Sequence, residues 1–164
     1  MRRSHPGPML AAIAATSLVV SCGKEATEQP VPVSEDNAHA TTSTGMQRTA
    51  SPDGAAVFFI TPADGSIVAN PVVIEFGISG MAVVKAGEQQ QDSGHHHLII
   101  DADIPDLDAP IPADDHYVHF GDASTSTELT LEPGQHTLQL LLGDHLHVPH
   151  EPAVTSDPIT ITVE

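Results

Sequence analysis

The sequence predicts an all-β domain, an immunoglobulin-like antiparallel β-sandwich. Three observations predict it: short apolar runs alternating with period two, turn residues punctuating them, and no stretch with a helical period. Ala56–Thr61 (AVFFIT) reads as a first strand, and Pro62-Ala63-Asp64-Gly65 as the turn that ends it, because proline presets φ and glycine accepts a positive φ. Val72–Ile78 sets Val72, Ile74, Phe76 and Ile78 on one face against Val73, Glu75 and Gly77. His96–Asp101 (HHLIID) is a third strand and Tyr117–Phe120 a fourth. Thr127–Leu131 turns Leu129 and Leu131 inward. Gln135–Leu142 alternates His136, Leu138, Leu140 and Leu142 against Thr137, Gln139 and Leu141, and Pro158–Val163 closes the set with Ile159, Ile161 and Val163 on one side. The chain has no tryptophan and a single cysteine, so the expected domain lacks the Trp and disulfide of antibody domains. Two connections are long, Ala102–Asp115 with three prolines and Gly143–Asp157. Loops of that length in a compact domain usually carry function or are disordered.

The domain is expected to span residues 55–164, behind a leader and a tether. Residues 1–21 read as a signal peptide: Arg2 and Arg3 form a positive start, and Met9–Val20 is an apolar run too short for a transmembrane helix. Val19-Val20-Ser21-Cys22 resembles the lipobox of bacterial lipoproteins. That resemblance implies lipidation of Cys22, which becomes the mature N-terminus, and, with Gly23 following, delivery to the outer membrane. The predicted location is the periplasmic side of the cell envelope, with the membrane engaged through the lipid on Cys22. Residues 22–54 are rich in Thr, Ser, Ala, Glu and Pro without apolar periodicity, which predicts a disordered tether. About 30 flexible residues span roughly 30 Å.

Charge narrows the partners. Twenty-two acids face 5 bases for a formal charge of −17, and removing the leader takes two of those bases away. Phosphate backbones repel such a chain, so nucleic acid is not an expected partner. Aromatic residues make up 3 %, which leaves few platforms for stacking sugars or bases.

The residues that carry chemistry are histidines. Nine of the 11 fall between positions 95 and 150, grouped as His95-His96-His97, His116 with His119, His136, and His145, His147 and His150. In an immunoglobulin-like topology the third strand pairs with the sixth, so the start of one and the end of the other share a pole. His119, ending the fourth strand, would arrive there too, while His136 opens the sixth strand at the opposite pole. Convergent imidazoles suit Cu(II), Zn(II) or Ni(II). The expected ligands of a bound Cu(II) or Zn(II) are His97, His119, His145 and His147, with His96, His116 and His150 in reserve and Asp101, Asp115 and Asp144 as candidate carboxylates. One of His95, His96 and His97 must face away from its neighbours in an extended strand. A blue-copper centre is excluded because it needs a thiolate and Cys22 is the anchor. The competing reading is a tethered module that docks another envelope protein through its long loops, with histidines serving as struts or pH sensors. Asp101–Asp108 lacks the glycine and terminal glutamate of a calcium loop. No nucleophile elbow, P-loop or Rossmann glycine pattern occurs, and no substrate is suggested, so an enzyme is not expected.

From Ala55 to Glu164 the chain resembles a family of exported bacterial proteins, domain of unknown function 4399. The resemblance rests on FFITPADGSIVANPVVIEFGISGM, GHHHLIID, IPADDHYVHFG, GQHTLQLLLGDHLHVPH and PITITV. It implies the domain boundary and the histidine pattern, and no activity. A weaker similarity, through the PADG turn, is to periplasmic copper-resistance proteins of the CopC type. Their copper site uses an N-terminal histidine, a position that lipidated Cys22 would occupy here.

Overall fold

The computed structural model describes residues 46–164; the leader, Cys22 and tether residues 23–45 lie outside them. The described residues contain no helix and nine strands. These are β1 (Ala56–Thr61), β2 (Ile67–Val68), β3 (Val72–Ser79), β4 (Ala82–Val83), β5 (Ser93–Ile100), β6 (Tyr117–His119), β7 (Ser126–Leu129), β8 (Gly134–Gly143) and β9 (Ile159–Val163). One sheet has the order β1-β3-β7; the other runs β2-β9-β8-β5-β4, with β6 also on β5. The alternation read from the sequence explains their facing. Val57, Val72, Ile74 and Phe76 from the first sheet meet Leu98, Ile100, Leu138, Leu140, Leu142, Ile161 and Val163 from the second in one buried core. The fold is therefore an all-β sandwich. Its long pairings, β1–β3, β3–β7, β5–β6, β5–β8 and β8–β9, are antiparallel. Two short ones, β2–β9 and β4–β5, are parallel, and their two-residue strands were too short to leave a periodic signal.

One strand departs from the half-buried pattern of a sandwich. All eight residues of β5 are buried. His96, Leu98 and Ile100 point into the core, where the His96 ring meets Phe76 with centroids 4.7 Å apart. His95, His97 and Ile99 must point the other way. That outer face would be solvated in a bare sandwich. Here it carries a second small core of Ile99, Leu141 and Ile111, with Ala102 and Tyr117 against it. Ile111 belongs to the first long connection, and its amide donates to the carbonyl of His147 in the second, at 2.8 Å. The two long connections thus fold back together over the outer face of β5 and β8.

The domain also begins earlier than composition indicates. Residues 46–52, assigned to the tether by their polarity, lie along the second connection. The Ser51 amide donates to the Glu151 carbonyl at 3.1 Å, and the Glu151 amide to Thr49 at 2.9 Å. Arg48 Nε donates to the Pro149 carbonyl at 3.1 Å, and its Nη atoms reach the His150 carbonyl and the Glu151 carboxylate. The strap carries little apolar surface, so hydrophobic periodicity could not reveal it; hydrogen bonds and ion pairs hold it.

Candidate metal centre

Four histidines converge on the outer face of β5. His95 and His97 are two residues apart on that strand, so their side chains share the face. His119 on β6 stands directly opposite His97 in the antiparallel register. His147 arrives from the turn after β8. Ring centroids are 5.0 Å apart for His95–His97, 4.9 Å for His95–His119, 5.0 Å for His97–His119, 4.9 Å for His95–His147, 4.7 Å for His119–His147 and 6.0 Å for His97–His147, so His147 stands at the edge of the group. His95, His97 and His119 each offer a ring nitrogen, all within 4.8 Å of one another. A tetrahedral zinc with bonds of about 2.1 Å holds its nitrogens about 3.4 Å apart.

The backbone makes room for these rings with glycine. A Cβ at Gly121 would sit 2.9 Å from His119 Nε2, and one at Gly143 would sit 2.9 Å from His97 Nε2. Neither glycine has a positive φ, so space rather than conformation demands them. Gly121→Ala is expected to displace the His119 ring and weaken divalent-metal binding about tenfold with little change in folding, to be checked by titrating both proteins with Zn(II).

The electrostatics of the cluster favour neutral imidazoles. Burial, then the neighbouring histidines His147 and His119, pushes His95 down to about 4. Burial followed by His95, His119 and His147 pushes His97 down to about 2. His119 is lowered by burial first, then by His147. At neutral pH these rings are uncharged, the form that offers a lone pair to a metal. Both ring nitrogens of His95 and of His97, and Nε2 of His119, are buried without a partner, as are both nitrogens of the core-facing His96. Each such group costs about 1–3 kcal/mol if left bare, and native cores contain few of them.

His147 is held by its own turn. Its φ is 66°, in the left-handed region that non-glycine residues rarely occupy. The turn closes through the His147 amide on the Asp144 carbonyl and the Asp144 amide on the Val148 carbonyl, both 2.9 Å. The Asp144 carboxylate accepts from the amides of Leu146 at 2.8 Å and Val148 at 3.0 Å, and from the Thr49 hydroxyl at 2.6 Å. Burial alone would raise this carboxyl. The hydrogen bonds from Thr49, Val148 and Leu146, with His145 nearby, outweigh that and hold it below the usual carboxylate range.

Of the histidines singled out in the sequence, the structure brings together His97, His119 and His147, and leaves the other four outside. His145, with its Nδ1 4.0 Å from Asp144, lines a polar cleft with Thr49, Glu88 and Gln91. Its neighbour His147 joins the cluster and His145 does not, because the turn at Asp144 is not extended, which separates the two rings. His96 faces the core, as strand alternation requires, and burial pushes it down to about 4. His116 Nδ1 donates to the Ile100 carbonyl at 2.9 Å. The buried His150 ring lies between the carbonyls of Leu142 and Ser93, at 3.4 and 3.2 Å. His95 was missed, although the i, i+2 rule that pairs it with His97 was available. The cluster also lies on an outer sheet face beneath the two connections, where topology alone had placed it at a pole. Among the candidate carboxylates, only Asp144 adjoins the cluster. Asp101 instead binds His136, whose other nitrogen donates to the Glu132 carbonyl, so that ring is favoured in its protonated form. Asp115 is exposed.

No curated protein and no solved structure matches the chain, so the likeness to copper-resistance sandwiches gains nothing from comparison. The family match runs over residues 74–164, from β3 to the end of the chain. It contains all four clustered histidines and stops short of the strap at residues 46–52. On that match, which covers more than half of its length, the chain belongs to the family described as Domain of unknown function (DUF4399).

Proposed function

We propose that this domain binds a divalent transition metal, Cu(II) or Zn(II), through His95, His97, His119 and His147. The observation that carries the proposal is the set of five buried imidazole nitrogens, on three converging rings, that have no hydrogen-bond partner. His116 and His136, outside the cluster, are bonded. His96 also lacks partners but stands alone against Phe76 in the core, so convergence is what sets His95, His97 and His119 apart. Rings that converge, stay neutral and lack partners are costly unless something supplies what their lone pairs lack. A metal ion does so for one nitrogen of each ring. Four imidazoles without a thiolate suit Cu(II) and Zn(II) and not Cu(I). In this reading the protein is a lipoprotein of the cell envelope, anchored at Cys22, and it buffers, carries or senses the ion on the periplasmic side. A second envelope protein would receive or deliver the metal.

The test is calorimetric titration of untagged protein with Cu(II) and with Zn(II). One saturable site per chain, tighter than about 10 μM, is expected. Because burial keeps His95 and His97 neutral well below the usual range, affinity should hold at about pH 6 and fall only toward about pH 4, where His95 begins to take up protons. No saturable binding of either ion would overturn the proposal.

A further inference from the structure

The strap at residues 46–52 touches the histidine cluster through one residue. Asp144 is 2 % exposed and accepts three hydrogen bonds, two from its own turn and one from the strap hydroxyl of Thr49. The turn it organises sets the backbone of His147 in its left-handed conformation. Asp144 therefore addresses the cluster through the turn that carries His147.

The strap in turn depends on the connection it crosses. Arg48 is the only cation within residues 46–84, and its guanidinium is largely covered, at 12 % side-chain exposure. It reaches the carbonyls of Pro149 and His150, the Glu151 carboxylate, and Asp108 in the other long connection at 3.9 Å. Met46 adds a backbone bond to the Asp108 carbonyl at 3.1 Å. One short segment thus ties together both connections that cover the cluster, and nothing apolar would hold it there if those polar bonds were lost.

We propose that Asp144, held by Thr49 of the strap that Arg48 anchors, is a positioning residue of the histidine centre, so that docking of the strap and binding of a divalent metal reinforce each other. This rests on the metal reading above. The charge argument points the same way: a dication held by four neutral ligands lacks a counter-charge, and Asp144 provides one at the edge of the cluster. Coupling of this kind is reciprocal, so the metal must tighten the strap as much as the strap tightens the metal. The segment that leads into the domain would then be gripped harder when the site is loaded.

The full chain in detergent is titrated with Zn(II) alongside T49V, T49S and D144N, and the Cu(II) electron paramagnetic resonance spectrum of each is recorded. T49V and D144N are expected to bind Zn(II) about 10- to 100-fold more weakly, the range for groups that support a ligand. Their Cu(II) spectra should be altered, and T49S should restore both readouts. As the reciprocal arm, limited proteolysis between Arg48 and Pro52 should be slowed by Zn(II) in the unsubstituted chain and not in H97L. Wild-type chain that binds no metal overturns the function reading and this inference with it. Wild-type chain that binds, with T49V and D144N equal to it in affinity and spectrum, overturns the positioning role alone. If T49V and D144N fail to fold, the proteolysis arm decides: cleavage indifferent to Zn(II) overturns the inference.

Discussion

His97→Leu is expected to abolish Cu(II) and Zn(II) binding, by at least 100-fold, while leaving the metal-free domain as stable as before or more so. The expectation follows from the bonding of His97. Its ring is fully buried and neither nitrogen has a partner. Leucine has a similar volume and no polar atoms, so the substitution removes two unpaired groups, each costing about 1–3 kcal/mol. A gain of even about 1 kcal/mol raises the melting temperature of a domain this size by about 4 °C. His150→Leu is the contrasting case. His150 sits between two carbonyls in the same region, and removing it should lower the melting temperature while the metal still binds. Melting curves and titrations of the two variants check both halves. A fall in the stability of H97L equal to that of H150L would mark His97 as a strut. Trading stability for a site is the common pattern where activity is built from groups a core would reject.

Acid is expected to unfold the metal-free domain between about pH 6.5 and pH 4. His95 and His96 are each held at about 4 in the folded chain, against 6.5 when unfolded. Below pH 6.5 the unfolded chain therefore binds protons that the folded chain refuses, and stability falls as the pH is lowered through that window. The fall continues until the folded pKa is reached, and for His97, held at about 2, it continues lower still. The gap between 6.5 and about 4 amounts to about 3 kcal/mol per group, against total stabilities of about 5–15 kcal/mol. His136 works the other way. Its pKa is raised, by the Glu132 carbonyl and then by Asp101. Its contribution is therefore present below 6.5 and lost as the pH rises through its folded value, a partial offset only. Denaturant unfolding at pH 7.5, 6, 5 and 4.5 measures the slope. H97L should be markedly less sensitive to acid, and a slope unchanged by that substitution would contradict the account.

The strands were legible because period-two alternation is a local signal that the core imposes directly. Ala56–Thr61 matches β1 residue for residue, and the other long strands agree to within a few positions. The pairing of β5 with β8 followed from topology, whereas His119, expected only at the shared pole, lies in register beside His97 of β5. The face of the sheet was less legible. The runs HHHLII and LQLLL break strict alternation, since Ile99 and Leu141 put apolar groups on the side that should be wet. Such runs mark a strand buried on both faces, and here two irregular connections bury it. Nothing in the composition of a proline-rich acidic loop announces that it will fold back, so the site was expected at a pole. The choice among His145, His147 and His150 hung on a turn whose geometry is set by Asp144, Thr49 and a positive φ at His147, none of which periodicity encodes. The glycines beside the histidines were visible, but their purpose, giving imidazoles room against the backbone, required coordinates.

The central claim is that four imidazoles from three separate parts of the chain share one ion. X-ray absorption at the metal edge of Zn(II)- or Cu(II)-loaded protein tests it most directly. The account predicts a first shell of nitrogen at about 2.0–2.1 Å for zinc, with the outer-shell scattering of several imidazole rings and no sulfur. His95→Ala should remove one ring from that shell, whereas His145→Ala should leave it unchanged. A first shell of oxygen alone, or one that loses a ring with His145→Ala and keeps it with His95→Ala, would contradict the account.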